Sequence, residues 1–427
     1  MEKFKNKLSL FVDVMLSSNT IKNIQYDDVY RILLILLAFV MPLSRAAISF
    51  FVVFIIITYI IEGKYSIKWK KIYNMKPLRF IIYFVVFMNV TLLWSKNIDY
   101  KTFLSIDYNY LLLIPVFFTI LKREWTYTIL NSFLMGMFVS EVISYGIYFG
   151  LWSFGHGSPS DPTPFMNHIA YSIFLAFTSV LLLSRLFSSY YNKIEKFLIF
   201  PFFITVTINL FITGGRTGQI AFIFGVLVMF IIHYRLTIKS LLYSILLLVS
   251  IYFVAYNTSQ TFQKNVDKSF IEFEKISHLD LRSSFGVRVS YILITKEILE
   301  QDYKNILFGV GYNDVHSEIK NILDNKLKTF KLRKEFILTH NTHNQYLQLI
   351  LQSGVVGLIL FFSSIFFILK SQYYIKEMKD ISILFLIVFL FSFVADTILE
   401  LQFSRTLFIL IMSLIIVNIK IPTQKIV

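Results

Sequence analysis

Two histidines stand three residues apart in Thr339-His340-Asn341-Thr342-His343-Asn344-Gln345-Tyr346-Leu347, immediately before a long apolar run. Thr342 followed three residues later by Gln345 fits a capping box, which predicts His343 on the first turn of a helix. A helix N-terminus disfavours the imidazolium form, so a neutral imidazole held there suits a general base. Two close histidines also suggest zinc, but no third ligand follows at a recognisable spacing and the chain has no cysteine, so no metal or other cofactor is expected. Polar residues closing a loop are the plain alternative; they account for the cap but not for the repeated His-Asn.

Two arginines offer a complementary chemistry. Gly214-Gly215-Arg216-Thr217-Gly218 reads as a very tight turn between apolar runs, with Thr217 able to cap the helix that follows. A guanidinium beside free helix N–H groups attracts phosphate. A snorkelling arginine at a helix end is the alternative. Arg288, in Gly286-Val287-Arg288-Val289-Ser290-Tyr291, opens an expected amphipathic helix over 284–301, whose apolar positions are Val287, Tyr291, Ile294 and Ile298. Taken alone it is one charge on a solvated face. The run Gly309-Val310-Gly311-Tyr312 after that helix reads as a flexible turn.

What positions these residues is a membrane. The chain has 427 residues, of which 56% are hydrophobic and 18% aromatic, with a mean hydropathy of +0.66. With a window of about 20 residues per crossing, spans are expected near 29–45, 46–62, 78–95, 102–121, 126–150, 167–187, 196–213, 217–234, 238–256, 346–369, 380–398 and 402–419. The net charge of +15 sits in short clusters between these runs, which argues for a positive-inside pattern and against a nucleic-acid partner. Lys64 to Lys76, Arg185 to Lys196, Arg235 to Lys239 and Lys370 to Lys379 fall on one side; Leu151 to Pro164, with no Lys or Arg, falls on the other. The expected fold class is therefore an all-α integral membrane protein of about 12 transmembrane helices with one large, partly helical periplasmic loop. The expected organisation is a cytoplasmic segment 1–28, helices 1–9 over 29–256, the loop over 257–345, helices 10–12 over 346–419 and a cytoplasmic tail 420–427. No cleavable signal peptide is visible in Met1 to Tyr26, and Leu8 to Leu16 suits an interfacial helix or a loose tail.

By this topology Arg216, Arg288 and His343 all reach the outer face. Arg45, His156 and His168 fall on the same side and are candidates to line a cleft, as are Tyr291, Tyr312 and Tyr346. Asp396, Glu400 and Arg405 surround one outward turn and are expected to pair with one another; Asp107 lies toward the outer half of its span.

Arg216 in its glycine turn, Arg288 opening the loop helix, and His343-Asn344-Gln345-Tyr346-Leu347-Gln348 followed by Gly354-Val355-Val356-Gly357-Leu358 together resemble the O-antigen ligase and polymerase superfamily of bacterial inner membranes. The resemblance covers the second half of the chain in detail. It implies a fold like other membrane glycosyltransferases with lipid-linked donors. It further implies an undecaprenyl-pyrophosphate-linked glycan donor, a lipid A core acceptor and catalysis by His343, Arg288 and Arg216. Substrate contacts are expected from His340, Asn344, Arg45, Tyr346 and Tyr291, with no cofactor and no metal. The ligase branch is favoured; a polymerase joining repeat units on the same carrier is the near alternative. A transporter or flippase, which would place ionisable groups near the bilayer midplane, is the distant one.

Overall fold

The computed structural model describes residues 25–96, 106–155, 157–326 and 330–420. The expected segment Leu8 to Leu16, His156 and most of the C-terminal tail lie outside the described residues.

Apolar runs punctuated by capping residues give the helices in order: α1 Tyr26–Val40, α2 Arg45–Glu62, α3 Tyr65–Tyr73, α4 Lys76–Val90, α5 Leu113–Ile120, α6 Thr126–Tyr148, α7 His168–Phe187, α8 Lys193–Ile212, α9 Arg216–Tyr234 and α10 Ile238–Thr258. The polar stretch that follows folds into α11 Gln260–Ser277, α12 Ser284–Leu299, α13 Tyr303–Phe308, α14 Val315–Asn325 and α15 Lys334–Thr339. The chain closes with α16 Gln345–Lys370, α17 Lys376–Phe393 and α18 Gln402–Val417. Local chemistry sets the starts. The Ser44 hydroxyl accepts from the Ala47 N–H before α2, the Asn167 side chain accepts from Ala170 before α7, and Asn192 with Glu195 completes a capping box before α8.

Each predicted span coincides with a helical stretch. Among the described residues, eight helices are long and apolar enough to cross a membrane: α2, α4 and α6 (the last two with their short extensions), α7, α8, α9, α10 and α16. The others fall short by length or charge. α1 has 15 residues, and at 1.5 Å per residue that is about 23 Å, less than a hydrocarbon core of about 30 Å.

The connections gather at two ends. At one, Lys122 pairs with Asp27, the Tyr127 hydroxyl donates to Glu377, and the Asn418 amide donates to Thr126. At the other, Asp161 accepts from the Gly214 N–H, the Thr261 hydroxyl donates to the Ser160 carbonyl, and the Gln402 amide donates to the Arg45 carbonyl. The second set joins loops that the alternation of spans was expected to bring to one side, among them Leu151 to Pro164, which has no Lys or Arg. α7, α17 and α18 are buried along most of their length and form the centre, whereas α10 turns Leu242, Leu246, Val249 and Phe253 outward.

One helix is broken. Gly354 inside α16 has φ 60° and ψ −165°, outside helical geometry. The Leu351 carbonyl, freed by the break, accepts the Val310 N–H at 2.8 Å. A broken span is tolerated where protein satisfies the released backbone groups. The run Gly309 to Tyr312 is therefore a clamp rather than the expected flexible turn. A side chain on Gly309 would run into the backbone of Leu351 to Ser353, and one on Gly354 into that of Leu307 and Phe308. Gly354→Ala is expected to cost at least about 1–3 kcal/mol from the backbone conformation alone. The measurement is the melting temperature in detergent, and a variant that melts with the unaltered protein would refute the clamp.

Candidate active site

The first arginine is placed by close helix packing. α9 starts at Arg216 with Gly215 as N-cap and no side-chain cap, so Thr217 does not cap the helix; it is the second helical residue and is buried. The glycines serve proximity: a Cβ on Gly215 or Gly218 would collide with α7 at His168 and Ser172. The Ser172 hydroxyl accepts the Gly218 N–H at 3.0 Å, and Asp161 accepts the Gly214 N–H at 2.9 Å. Burial raises the Asp161 carboxyl, but His168 and that N–H outweigh it and leave the group below its ordinary value. From this pinned turn the Arg216 guanidinium reaches α11, with Nη1 3.7 Å from Glu272 and Nη2 3.4 Å from the Asn265 side-chain oxygen.

Glu272 links the two arginines. It is 2% exposed, and its Oε2 accepts the Phe285 N–H at 3.1 Å, which ties α11 to the first turn of α12. One turn along α12, Arg288 donates from Nε and Nη2 to the Ala395 carbonyl at 3.2 and 3.1 Å, and from Nη1 to Ser284. Arg288 is thus part-buried against the turn between α17 and α18, not on a solvated face. Burial lowers its pKa most, Arg216 pushes the same way, and Asp396 and Glu272 oppose them. The two cations lie within each other's field, with the buried Glu272 carboxylate acting on both.

The histidine is placed by the same turn. Asn344, not Thr342, is the N-cap of α16, and its side chain accepts from Tyr346 and Leu347 at 2.9 and 3.1 Å. Gln345 is drawn away from any capping box: its amide donates to the Tyr108 hydroxyl and its oxygen accepts from the Leu399 N–H. His343 therefore precedes the helix, with φ 46°. A non-glycine residue keeps that left-handed conformation only where its surroundings impose it. Its Nδ1 lies 3.1 Å from Asp396 Oδ1, which also accepts the Thr397 N–H at 2.8 Å. A carboxylate accepts, so in the neutral ring Nδ1 carries the proton and the lone pair falls on Nε2, which is buried and has no protein partner. Asp396 holds His343 and its neighbour Ala395 holds Arg288, so consecutive residues of one turn fix both.

Residues 201–362 match the O-antigen ligase family. The match covers less than half of the chain; over that segment the chain is similar to the O-antigen ligase family, which supports ligase- or polymerase-type activity. No curated protein matches the chain. The O-antigen ligase segment contains Arg216, Arg288, His343 and Gly354; Asp396 lies beyond it.

The remaining expected residues divide. His340 is exposed, its ring stacked on Phe336 at 3.9 Å and 6.0 Å from His343. Asn344, besides capping, donates to the Val394 carbonyl. The Tyr346 hydroxyl donates to the Leu390 carbonyl and its ring stacks on Phe362. Tyr291 is fully buried with its hydroxyl shared by the Ile337 and His340 carbonyls, so it supports the loop and faces no cleft. Arg45 is exposed at the same end, over the Phe403 ring. Asp396, Glu400 and Arg405 do not pair with one another: their partners are His343, Asn341 and Asp107.

Reading the sequence missed Asp396 as a partner of His343, and Glu272 and Asn265 altogether. It also missed Glu141 of α6, which is 2% exposed with neither carboxyl oxygen hydrogen-bonded. Glu400 adds a pH dependence to the stability of the fold. Burial, then Asp107 and Asp396, push its pKa from 4.5 up to about 8. The folded protein keeps a proton that the unfolded chain releases near 4.5, so this stability is present at low pH and is lost as pH rises through about 8. Melting curves from pH 5 to 9 are expected to show the unaltered protein losing stability relative to Glu400→Gln; parallel profiles would refute the assignment.

Proposed function

We propose that the protein is a glycan ligase at the periplasmic face of a bacterial inner membrane, with both termini cytoplasmic. It transfers a glycan from undecaprenyl pyrophosphate to a sugar hydroxyl of the lipid A core. The observation that carries this reading is the fastening of His343 and Arg288 to Asp396 and Ala395, with Arg216 close by.

The chemistry follows from charge. As the acceptor hydroxyl attacks the anomeric carbon, its proton passes to His343 Nε2 and Asp396 stabilises the imidazolium. The bond from the anomeric carbon to the pyrophosphate oxygen breaks, and its electron pair stays on that oxygen. Arg216 and Arg288 meet the growing negative charge in a partly dehydrated site, where such contacts are strongest. Attack opposite the leaving group inverts the anomeric centre. The imidazolium then returns its proton to water.

The test is deletion of the protein followed by analysis of lipopolysaccharide and of carrier-linked glycans. Long polymer on the carrier with bare core supports the ligase. Single repeat units on the core with no long chains would instead make the protein the polymerase. Unchanged glycans on both would remove the transferase reading.

A further inference from the structure

Beside the catalytic histidine lies a surface that the transfer chemistry leaves unused. α15 carries Arg333 before its first turn, Phe336 within it and His340 at its end. His340 Nδ1 is fixed by the Thr339 hydroxyl at 2.9 Å and the Phe336 carbonyl at 3.0 Å, so its ring cannot turn freely. That ring lies nearly parallel to Phe336, at 12° and 3.9 Å, and the His343 ring continues the layer at 13° and 5.4 Å from Phe336. The Arg333 guanidinium sits 4.7 Å from the Phe336 centroid, and Arg333, Lys334 and His340 are exposed.

Aromatic faces carry partial negative charge and attract the partly positive C–H groups of a pyranose. Cations at the edge of such a layer select a sugar that bears phosphate or carboxylate. We propose that His340, Phe336 and Arg333 form the subsite for the acceptor sugar, and that this sugar is anionic. The inference rests on the transferase reading, and it deepens that reading by naming where the acceptor lies. A hexose on the exposed His340 face spans the 6.0 Å between the two imidazoles and brings a hydroxyl toward His343. Arg333 takes the anionic substituent. Arg216 and Arg288, on α9 and α12, are left to the donor.

The test uses the full-length protein in nanodiscs and separates binding from transfer. Binding of phosphorylated lipid A core to donor-free protein is measured by thermophoresis for the unaltered protein and for Phe336→Leu, His340→Ala and Arg333→Gln. Each variant is expected to bind about tenfold more weakly, a difference of about 1.4 kcal/mol. The dephosphorylated acceptor should bind the unaltered protein as weakly as the phosphorylated one binds Arg333→Gln. In transfer assays the acceptor KM rises while the donor KM stays fixed. Affinities equal to that of the unaltered protein, or a rise in donor KM alone, would overturn the subsite. A carrier-linked anionic repeat unit in the same assay distinguishes the two sources of such a sugar. If the unaltered protein binds the acceptor but never transfers glycan to it, the catalytic reading fails while the subsite stands.

Discussion

Replacing His343 with alanine is expected to lower glycan transfer by about 10²–10⁴-fold, the usual worth of a placed general base. The protein should remain in the membrane with its melting temperature little changed, because the cap of α16 is Asn344 and not the histidine. Asp396→Asn is expected to cost a comparable factor by a different route. An amide at that position can present its N–H to the ring, which moves the imidazole proton to Nε2 and removes the lone pair from the reacting side. The two losses should not multiply, since each removes the same base; His343→Ala with Asp396→Asn should be about as slow as either alone. Additive losses would show that Asp396 acts on something other than His343.

The second large effect is expected at Arg288. Its guanidinium spans the Ala395 carbonyl and Ser284 with separate nitrogens, a geometry that one ammonium cannot reproduce. Arg288→Ala should lower kcat by about 10²–10³-fold through lost stabilisation of the leaving pyrophosphate. Arg288→Lys restores the charge but not the fork, so it should recover only part of that loss. The check is single-turnover transfer with carrier-linked donor in excess of its KM, alongside a melting curve. Full rescue by lysine would show that charge alone matters; unchanged turnover in the alanine variant would remove Arg288 from the reaction.

Hydropathy made the helices legible, because each apolar run is long and its caps are local. The three groups expected to act, Arg216, Arg288 and His343, were each visible in a short motif, and the fold brings Arg288 and His343 to one turn. What closes the site was not legible. Asp396 reaches His343 across 53 positions of chain, and nothing in the local pattern distinguishes that contact from a pairing with Glu400 or Arg405. Glu272 is hidden in a polar helix where carboxylates are common, and it is set apart only by burial. Thr342 and Gln345 form a correct capping pattern that the structure does not use, since Tyr108 and Leu399 bind Gln345 more closely to the core. Glu141 escaped because one carboxylate in an apolar run leaves the hydropathy of that run almost unaltered.

The break at Gly354 and the turn that holds His343 bear on when the enzyme becomes active during its synthesis. The Val310 N–H takes up the Leu351 carbonyl that the break frees, and in the proposed topology that loop is made and carried to the outer face before α16 follows it. The turn carrying Ala395 and Asp396 lies between the last two helices, α17 and α18. Until that final hairpin is in place, His343 lacks the Asp396 carboxylate and Arg288 lacks the Ala395 carbonyl. On the proposed roles the reacting centre is assembled last, so a nascent chain would stay inert toward lipid-linked glycans and activity itself would report that insertion is complete.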